Sequence, residues 1–355
     1  MNPLSSGNVE QALAKIGDDS LLRREMVDFL RRMEEEHSFE KINVREEITG
    51  PLVDILYQNS DVTCKVLSSG IKICFRYQSK IARDFIMAGD RPECVWEPQT
   101  TKLLLSLGTN AKAIIIGGAY FGDQAIIVAD AIKSSGGMCH CFEVSSEEMK
   151  MLKLNASNNN LNNLEFNQLA LWDEDRKYLT LVGSDSHASC REIEEKDSGE
   201  TFTTITIDSY GREKKLERID LIMLDIEGGE FVALKGAENY LKKPVIEAPN
   251  LIFEIHRHYV DWSNGLENTE IIKFLKGFGY HFFGIRDYQG NVPMEGRPVE
   301  LVPIKGMYLE GPPHGFNVLA VKDKSIIDKH NLKICPGVSP KLLFHRDPKL
   351  HQPLN

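Results

Sequence analysis

The chain is 355 residues long and carries 52 acidic against 42 basic side chains, a formal net charge of −10. That balance argues against a general nucleic-acid binder, which needs a basic footprint to displace counterions from phosphates. At 42% hydrophobic and 26% charged residues it is neither disordered nor collagen-like.

Apolar runs stay short of the roughly 18 residues that a membrane-spanning helix needs. Met1 to Ile16 lacks the basic start and apolar centre of a secretion signal, so a cytoplasmic chain with no membrane contact is expected. The seven cysteines (Cys64, Cys74, Cys94, Cys139, Cys141, Cys190 and Cys335) are odd in number and scattered, which suits reduced thiols. Cys139 and Cys141 flank His140 without a partner pair downstream, and read as buried strand cysteines rather than metal ligands.

In chain order, Asn8 to Arg45 reads as an amphipathic helical region. Met26, Phe29, Leu30 and Met33 form its apolar stripe, a face for packing or for a homodimer. Val62 to Val66 and Ile71 to Phe75 then read as a hairpin around Ser68, Ser69 and Gly70. From Glu97 strand-length apolar runs alternate with helical patterns. The strands are 113–116, 138–142, 165–170, 221–224, 251–255 and 281–285; the helices are 124–133, 146–155, 230–241 and 269–278. That alternation specifies a doubly wound α/β domain, and runs such as Leu221-Ile-Met-Leu224 lack polar alternation, as strands covered on both faces must.

Ser184 to Glu200 is poor in apolar residues and is expected to be an exposed excursion, with Phe202 to Ile207 returning as a strand. Phe316 to Val321 is the last clear strand, expected at the sheet edge, and the tail from Lys322 has a surplus of four positive charges that reads as solvated. The expected organisation is an accessory N-terminal region over 1–94, the α/β domain over 95–322 and a tail over 323–355.

Open α/β sheets bind ligands beyond the carboxyl ends of their strands. There the chain places Gly117, Gly118, Ala119, Tyr120, Phe121 and Gly122 ahead of Asp123, a bend whose small residues would let backbone approach a ligand. Glu143 ends the next strand and could bond ribose hydroxyls, or merely cap the helix from Ser146. Leu169 to Asp173 offers an apolar slot with Trp172, which could equally be core. Asp225 and Glu227 share one face before Gly228 and Gly229, and Glu254, His256 and His258 share another; their plain readings are helix-start acids and structural histidines.

Together these segments resemble the FkbM family of S-adenosylmethionine-dependent methyltransferases. The match comprises Glu97-Pro98, Gly118-Ala-Tyr-Phe-Gly-Asp123, Phe142-Glu143 with Leu154-Asn155, Ala170-Leu171, Thr206-Ile-Asp208, Asp225-Ile-Glu-Gly-Gly-Glu230 with Leu234-Lys-Gly-Ala237, and Phe253-Glu-Ile-His256. It covers about Glu97 to Ile285 and the strand from Asn317 to Val321.

The resemblance implies a class I methyltransferase fold, Rossmann-like, with seven strands of which the last is antiparallel. It also implies S-adenosyl-L-methionine as cofactor and methyl transfer to a hydroxyl of a small molecule, a sugar, nucleotide sugar or natural-product scaffold. Gly117, Gly118, Ala119, Tyr120 and Gly122 would lie along the cofactor, Glu143 would hold its ribose, and Ala170, Leu171 and Trp172 would border its adenine. The family's usual Asp is replaced by Ile116, leaving Glu97 or Asp123 to anchor the methionine end, with Asp225 close by. His256 is the expected base, oriented by Asp225, Glu227 and Glu254. Asp225, Glu254 and His256 could also bind a divalent metal, although metal-free transfer is the expectation. The rival readings are a non-catalytic nucleotide-binding module and, against the missing glycine at 119, an NAD-dependent oxidoreductase.

Overall fold

The computed structural model describes residues 6–36, 42–182, 189–193, 201–288, 290–309 and 315–354. Its centre is a nine-stranded sheet. Across it the strands lie in the order Lys333–Ile334, Glu300–Pro303, His281–Ile285, Gly315–Val321, Asn250–His256, Leu221–Leu224, Ala113–Gly117, Met138–Phe142 and Leu164–Asn167. From Ala113–Gly117 the chain steps outward through two parallel neighbours, then returns to Leu221–Leu224 on the other side. That reversal opens a crevice at the carboxyl ends of those two central strands. Gly315–Val321 runs antiparallel between Asn250–His256 and His281–Ile285. This is the class I methyltransferase arrangement, extended by two strands beyond His281–Ile285. The last strand therefore lies inside the sheet and not at its edge; every residue from Phe316 to Val321 is buried, as two bonded neighbours require.

Central strands form where the sequence is most apolar. Ala113–Gly117 is buried at every position, and helix Ala125–Ile132 behind it is apolar almost all round. Helix Ser146–Asn158 starts on an N-cap, with Ser145 Oγ accepting from the Glu148 amide at 3.3 Å. The run 165–170 is not one strand. It splits into Leu164–Asn167 in the main sheet and Ala170–Leu171, which pairs instead with Thr201–Ile205 in a separate four-stranded sheet. That second strand stops one residue before Thr206, whose side chain caps helix Ile207–Glu213. Of the expected excursion, Ser189–Ile193 is a strand paired with Tyr178–Val182; 183–188 and 194–200 lie outside the described residues.

The N-terminal region breaks into helices Ser6–Asp18 and Ser20–Glu36, because the Asp19 side chain accepts the amides of Leu21 and Leu22. Its buried face is Val27 and Leu30 with Met26 and Met33 beside them; Phe29 is 53% exposed and does not belong to the stripe. The hairpin forms as Val62–Val66 and Lys72–Arg76. Here the expectation of seven reduced thiols fails. Cys64 and Cys74 are directly opposed across the hairpin, 4.0 Å apart at Cα, and are joined as a disulfide. Cys94, Cys139, Cys141 and Cys335 are buried thiols. The hairpin is docked on the sheet domain by Asn155, which accepts the Cys74 amide at 2.7 Å and donates to the carbonyls of Cys74 and Phe121 at 2.7 and 2.8 Å.

The tail is only partly solvated. Arg286, fully buried, pairs with Glu300 at 2.5 Å and donates to the carbonyls of Ser339 and Leu350, while Cys335, Val338, Leu342 and His351 are buried. A buried guanidinium needs such complete pairing. No described helix is long and apolar enough to cross a membrane.

Two glycines fix the bend. Gly118 has φ +75°, and a Cβ there would lie 1.8 Å from the Asp225 carbonyl oxygen; Gly122 has φ +94°, and its Cβ would meet Ile126 and Leu152 at 2.7 Å. The small residues thus admit protein, not only ligand. Gly118→Ala should destabilise the fold by about 1–3 kcal/mol or more through the left-handed backbone alone. Chemical denaturation checks this, and an unchanged midpoint would contradict the contact with Asp225.

Candidate active site

Each acid of the crevice is set by a backbone feature. Glu143 is 8% exposed; its Oε2 accepts the Tyr120 amide at 2.8 Å and its Oε1 the Ser145 amide at 2.7 Å. It therefore faces the glycine bend, and the helix cap belongs to Ser145. Burial pushes its carboxyl up to about 7 against the pull of the Ser145, Tyr120 and Val144 amides. Tyr120 adopts φ +46° and is half-buried, whereas Phe121 is 1% exposed and packs on Phe75 of the hairpin, so it lines no pocket. The Ala119 methyl is likewise in the core, and that position can meet a ligand only through its backbone.

Gly117 abuts Leu224 and Leu171, whose methyls would lie 2.8 and 3.0 Å from a Cβ at that position. Ala170 and Leu171 are buried there. Trp172 is half-buried, its amide tied to Ile205, and its carbonyl lies against Gly236. Ile116 is core, 2% exposed, and brings no acid. The acids near it are Glu97 and Asp123. Glu97, at φ +46°, heads helix Pro98–Gly108, and its Oε2 accepts from Asn317 at 2.7 Å and Gln124 at 3.3 Å. Asp287 fixes that helix start by accepting the amides of Gln99 and Thr100. Enclosed Gln124 Oε1 and Asn317 Oδ1 have no hydrogen-bond partner.

Opposite the bend, the turn after Leu221–Leu224 is tied by Glu230, which accepts the Ile226 amide at 2.8 Å and the Gly228 amide at 3.1 Å. This positions Asp225 and Glu227, the latter at φ +51° with the Tyr259 ring packed over Gly228. Non-glycine residues with left-handed backbone are costly and gather at functional sites; Glu97, Tyr120 and Glu227 are three of them within one crevice. Glu254 joins Asp225 and Glu227, with one oxygen of each within 4.8 Å of the others. The trio for a cation is thus not the expected one, since Glu227 takes the place of His256. His256 and His258 do stack, their ring centroids 4.8 Å apart. But His256 Nδ1 accepts the His258 amide at 3.1 Å, so the neutral ring carries its hydrogen on Nε2. In this arrangement the neutral His256 ring donates from Nε2.

Sequence reading missed Glu230, Asn317 and Asp287. The last acid of Asp225-Ile-Glu-Gly-Gly-Glu230 was the available signal for the first; the other two come from remote segments.

The shared electrostatic feature is raised acidity constants. Burial, then the Asp225 charge, lifts Asp123 to about 7. Burial lifts Asp225 to about 6, and burial with Asp225 and Glu230 lifts Glu227 to about 8. Burial and the amides around it leave Glu230 at about 7. Burial first, then neighbouring carboxylates, also raise Glu97 and Glu254. Between the unfolded values near 4 and these folded values, the native state holds more protons than the unfolded chain. Stability is then greatest below pH 4 to 5 as far as these groups contribute, and is lost as pH rises to 8. The ligand-free protein should melt at progressively lower temperature from pH 5 to pH 8 in a calorimetric series. Replacing Asp123 and Glu227 by amides should flatten that decline.

Residues 117–282, just under half of the chain, match the family model for the methyltransferase FkbM domain. No curated protein matches the sequence significantly. Among solved structures, the chain is similar to methyltransferase FkbM from Methylobacillus flagellatus, at 15% identity over 41% of this chain and 33% of that one, TM-score 0.30. It thus spans a third of that protein's length. It is also similar to an O-methyltransferase from Bacillus cereus in complex with SAH, at 16% identity over 63% and 79% of the two chains, TM-score 0.35. A third is TYW2 of P. horikoshii, at 13% identity over 76% and 74%, TM-score 0.34. The similarity to the methyltransferase FkbM domain is thus confined to residues 117–282.

Proposed function

We propose that the chain is an S-adenosylmethionine-dependent O-methyltransferase acting on a hydroxyl of a small molecule, a sugar or natural-product scaffold. The observation that carries this is Glu143, a buried carboxylate held against the glycine bend by the Tyr120 amide. Both its oxygens keep lone pairs with which to accept ribose hydroxyls. When bound, the cofactor supplies a methyl group on a sulfonium.

The residues present fit that group. Orphaned Gln124 Oε1 and Asn317 Oδ1 lie beside Glu97, and acceptors with a carboxylate are what an ammonium needs. Glu97 and Asp123 would thereby replace the acid missing at Ile116. Leu171 against Gly117 would border the adenine, with Ala170 and Trp172 next in chain. Crevice acids would stabilise a cationic ligand, which their burial otherwise makes costly. Tyr120, half-buried at the bend, offers a ring face for the sulfonium.

Methyl transfer from a sulfonium is an in-line displacement, so the protein's main task is to hold donor and acceptor in register. A hydroxyl must also lose its proton. Asp225, Glu227 and Glu254 are the groups opposite the bend able to lower the cost of that loss, and His256 Nε2 would donate to an acceptor oxygen. A net charge of −10 favours a neutral or cationic acceptor over a polyanion.

Titration calorimetry with S-adenosylhomocysteine tests the reading. Binding is expected in the wild type and should weaken at least about tenfold in Glu143→Ala, the loss of two hydrogen bonds to a charged acceptor. Since the ionised carboxylate is the better acceptor and its folded value is about 7, affinity should weaken as pH falls from 8 to 6, and Glu143→Gln should lessen that dependence, leaving the part carried by Asp123. No binding at any pH would sink the proposal; binding without turnover on any hydroxyl acceptor would leave a non-catalytic module.

A further inference from the structure

We propose that Asp287 is a positioning residue for the amino-acid end of the cofactor: it takes over the N-cap of helix Pro98–Gly108 and so keeps the Glu97 carboxylate in the crevice. The exchange of caps stands on geometry; only the ligand that profits from it rests on the methyltransferase reading.

The residue ahead of a helix ordinarily uses its side chain to accept the amide of the second or third helical residue. Glu97 occupies that place, yet its side chain makes no cap bond. Its carbonyl accepts the Thr101 amide at 2.8 Å, the first bond of the helix, while its Oε2 is taken by Asn317 and Gln124. Pro98 has no amide to satisfy. The amides of Gln99 and Thr100 are the ones a capping side chain would take. Both go to Asp287, at 3.0 Å to Oδ1 and 2.7 Å to Oδ2, from a position 188 residues downstream of Gln99. A negative charge at a helix N-terminus is also favourable in itself.

Asp287 is held for this task by the C-terminal tail. Its amide donates to the Pro340 carbonyl at 2.9 Å, and strand Asp287–Tyr288 pairs in parallel with Lys341–Leu342. The Glu300 amide adds a bond to the Gln99 side chain at 2.5 Å, so the first turn is gripped twice from the same side. Gln99 and Thr100 are 1% and 0% exposed, and buried amides left without an acceptor are costly. Without Asp287, the side chain placed to accept them is that of Glu97 itself. Taking that cap would also relieve its left-handed backbone at φ +46°, a second gain for leaving the crevice. Asp287 removes both incentives by satisfying the amides first.

The test compares the full-length wild type with Asp287→Ala and Asp287→Asn, each checked for folding by circular dichroism. Two probes are titrated: S-adenosylhomocysteine, and 5′-methylthioadenosine, which has the same nucleoside but no amino-acid end. Asp287→Ala should weaken the first by at least about tenfold and leave the second within about twofold, with Asp287→Asn, which keeps one acceptor oxygen, in between. In a Glu97→Gln background, Asp287→Ala should cost little more, since the two residues act as one unit. Equal weakening of both probes, no weakening, or additive losses overturn the proposal. A crystal structure of ligand-free Asp287→Ala decides the geometry without any ligand; if that variant does not fold, Asp287→Asn serves, because it leaves one amide to be taken. The Glu97 carboxylate is expected within hydrogen-bond reach of the Gln99 or Thr100 amide, and finding it still on Asn317 overturns the exchange. If Glu97 moves but neither probe binds the wild type, the methyltransferase reading fails and the exchange of caps stands. If the wild type binds S-adenosylhomocysteine and Glu97 does not move, the proposal fails and the methyltransferase reading survives.

Discussion

A missing side chain governs this crevice. Because residue 118 has no Cβ, the bend after the first core strand can rest on the backbone of residue 225, where any other side chain would collide with a carbonyl oxygen. The same junction is bonded through the Asp225 amide to Gly117. The glycine bend and the acidic side of the crevice are therefore one contact and not two walls that happen to face each other. Neither can shift by more than a few tenths of an ångström without repacking the other.

What that rigidity holds in place is a set of carboxylates the fold would otherwise expel. Burial raises Glu97, Asp123, Glu143, Asp225, Glu227, Glu230 and Glu254 alike, and neighbouring carboxylates add to it at Glu97, Asp123, Glu227, Glu230 and Glu254. Some of these do structural work: Glu230 spends its oxygens on the turn amides. Others keep unsatisfied capacity, and three crevice residues accept left-handed backbone to stay where they are. A positively charged ligand would favour the ionised form of these carboxylates, and this is the physical content of the functional reading.

Much of this was legible in the chain. The alternation of apolar runs placed the strands at 113–116, 138–142, 221–224 and 281–285 almost to the residue, because buried parallel strands leave an uninterrupted apolar signature. Glu143 was found by its position at a strand tip. The misses share a cause, dependence on partners far off in sequence. The split of 165–170 is decided by pairing with Thr201–Ile205, the interior place of Gly315–Val321 by two neighbours, and the docked tail by Arg286 meeting Ser339 and Leu350. The Cys64–Cys74 bond depends on the hairpin register that sets the two residues opposite each other, which cysteine number alone does not reveal.

Asn155 has a consequence for where the working unit begins. Its amide group joins a carbonyl of the bend to both polar groups of Cys74, a residue more than forty positions upstream of the stretch that matches the family. Glu97 and Asn317, which complete the other side, also fall outside that stretch. The stretch that matches the family is thus an incomplete machine: its flanks furnish struts for the crevice, and changes at either end would be felt at the glycine bend.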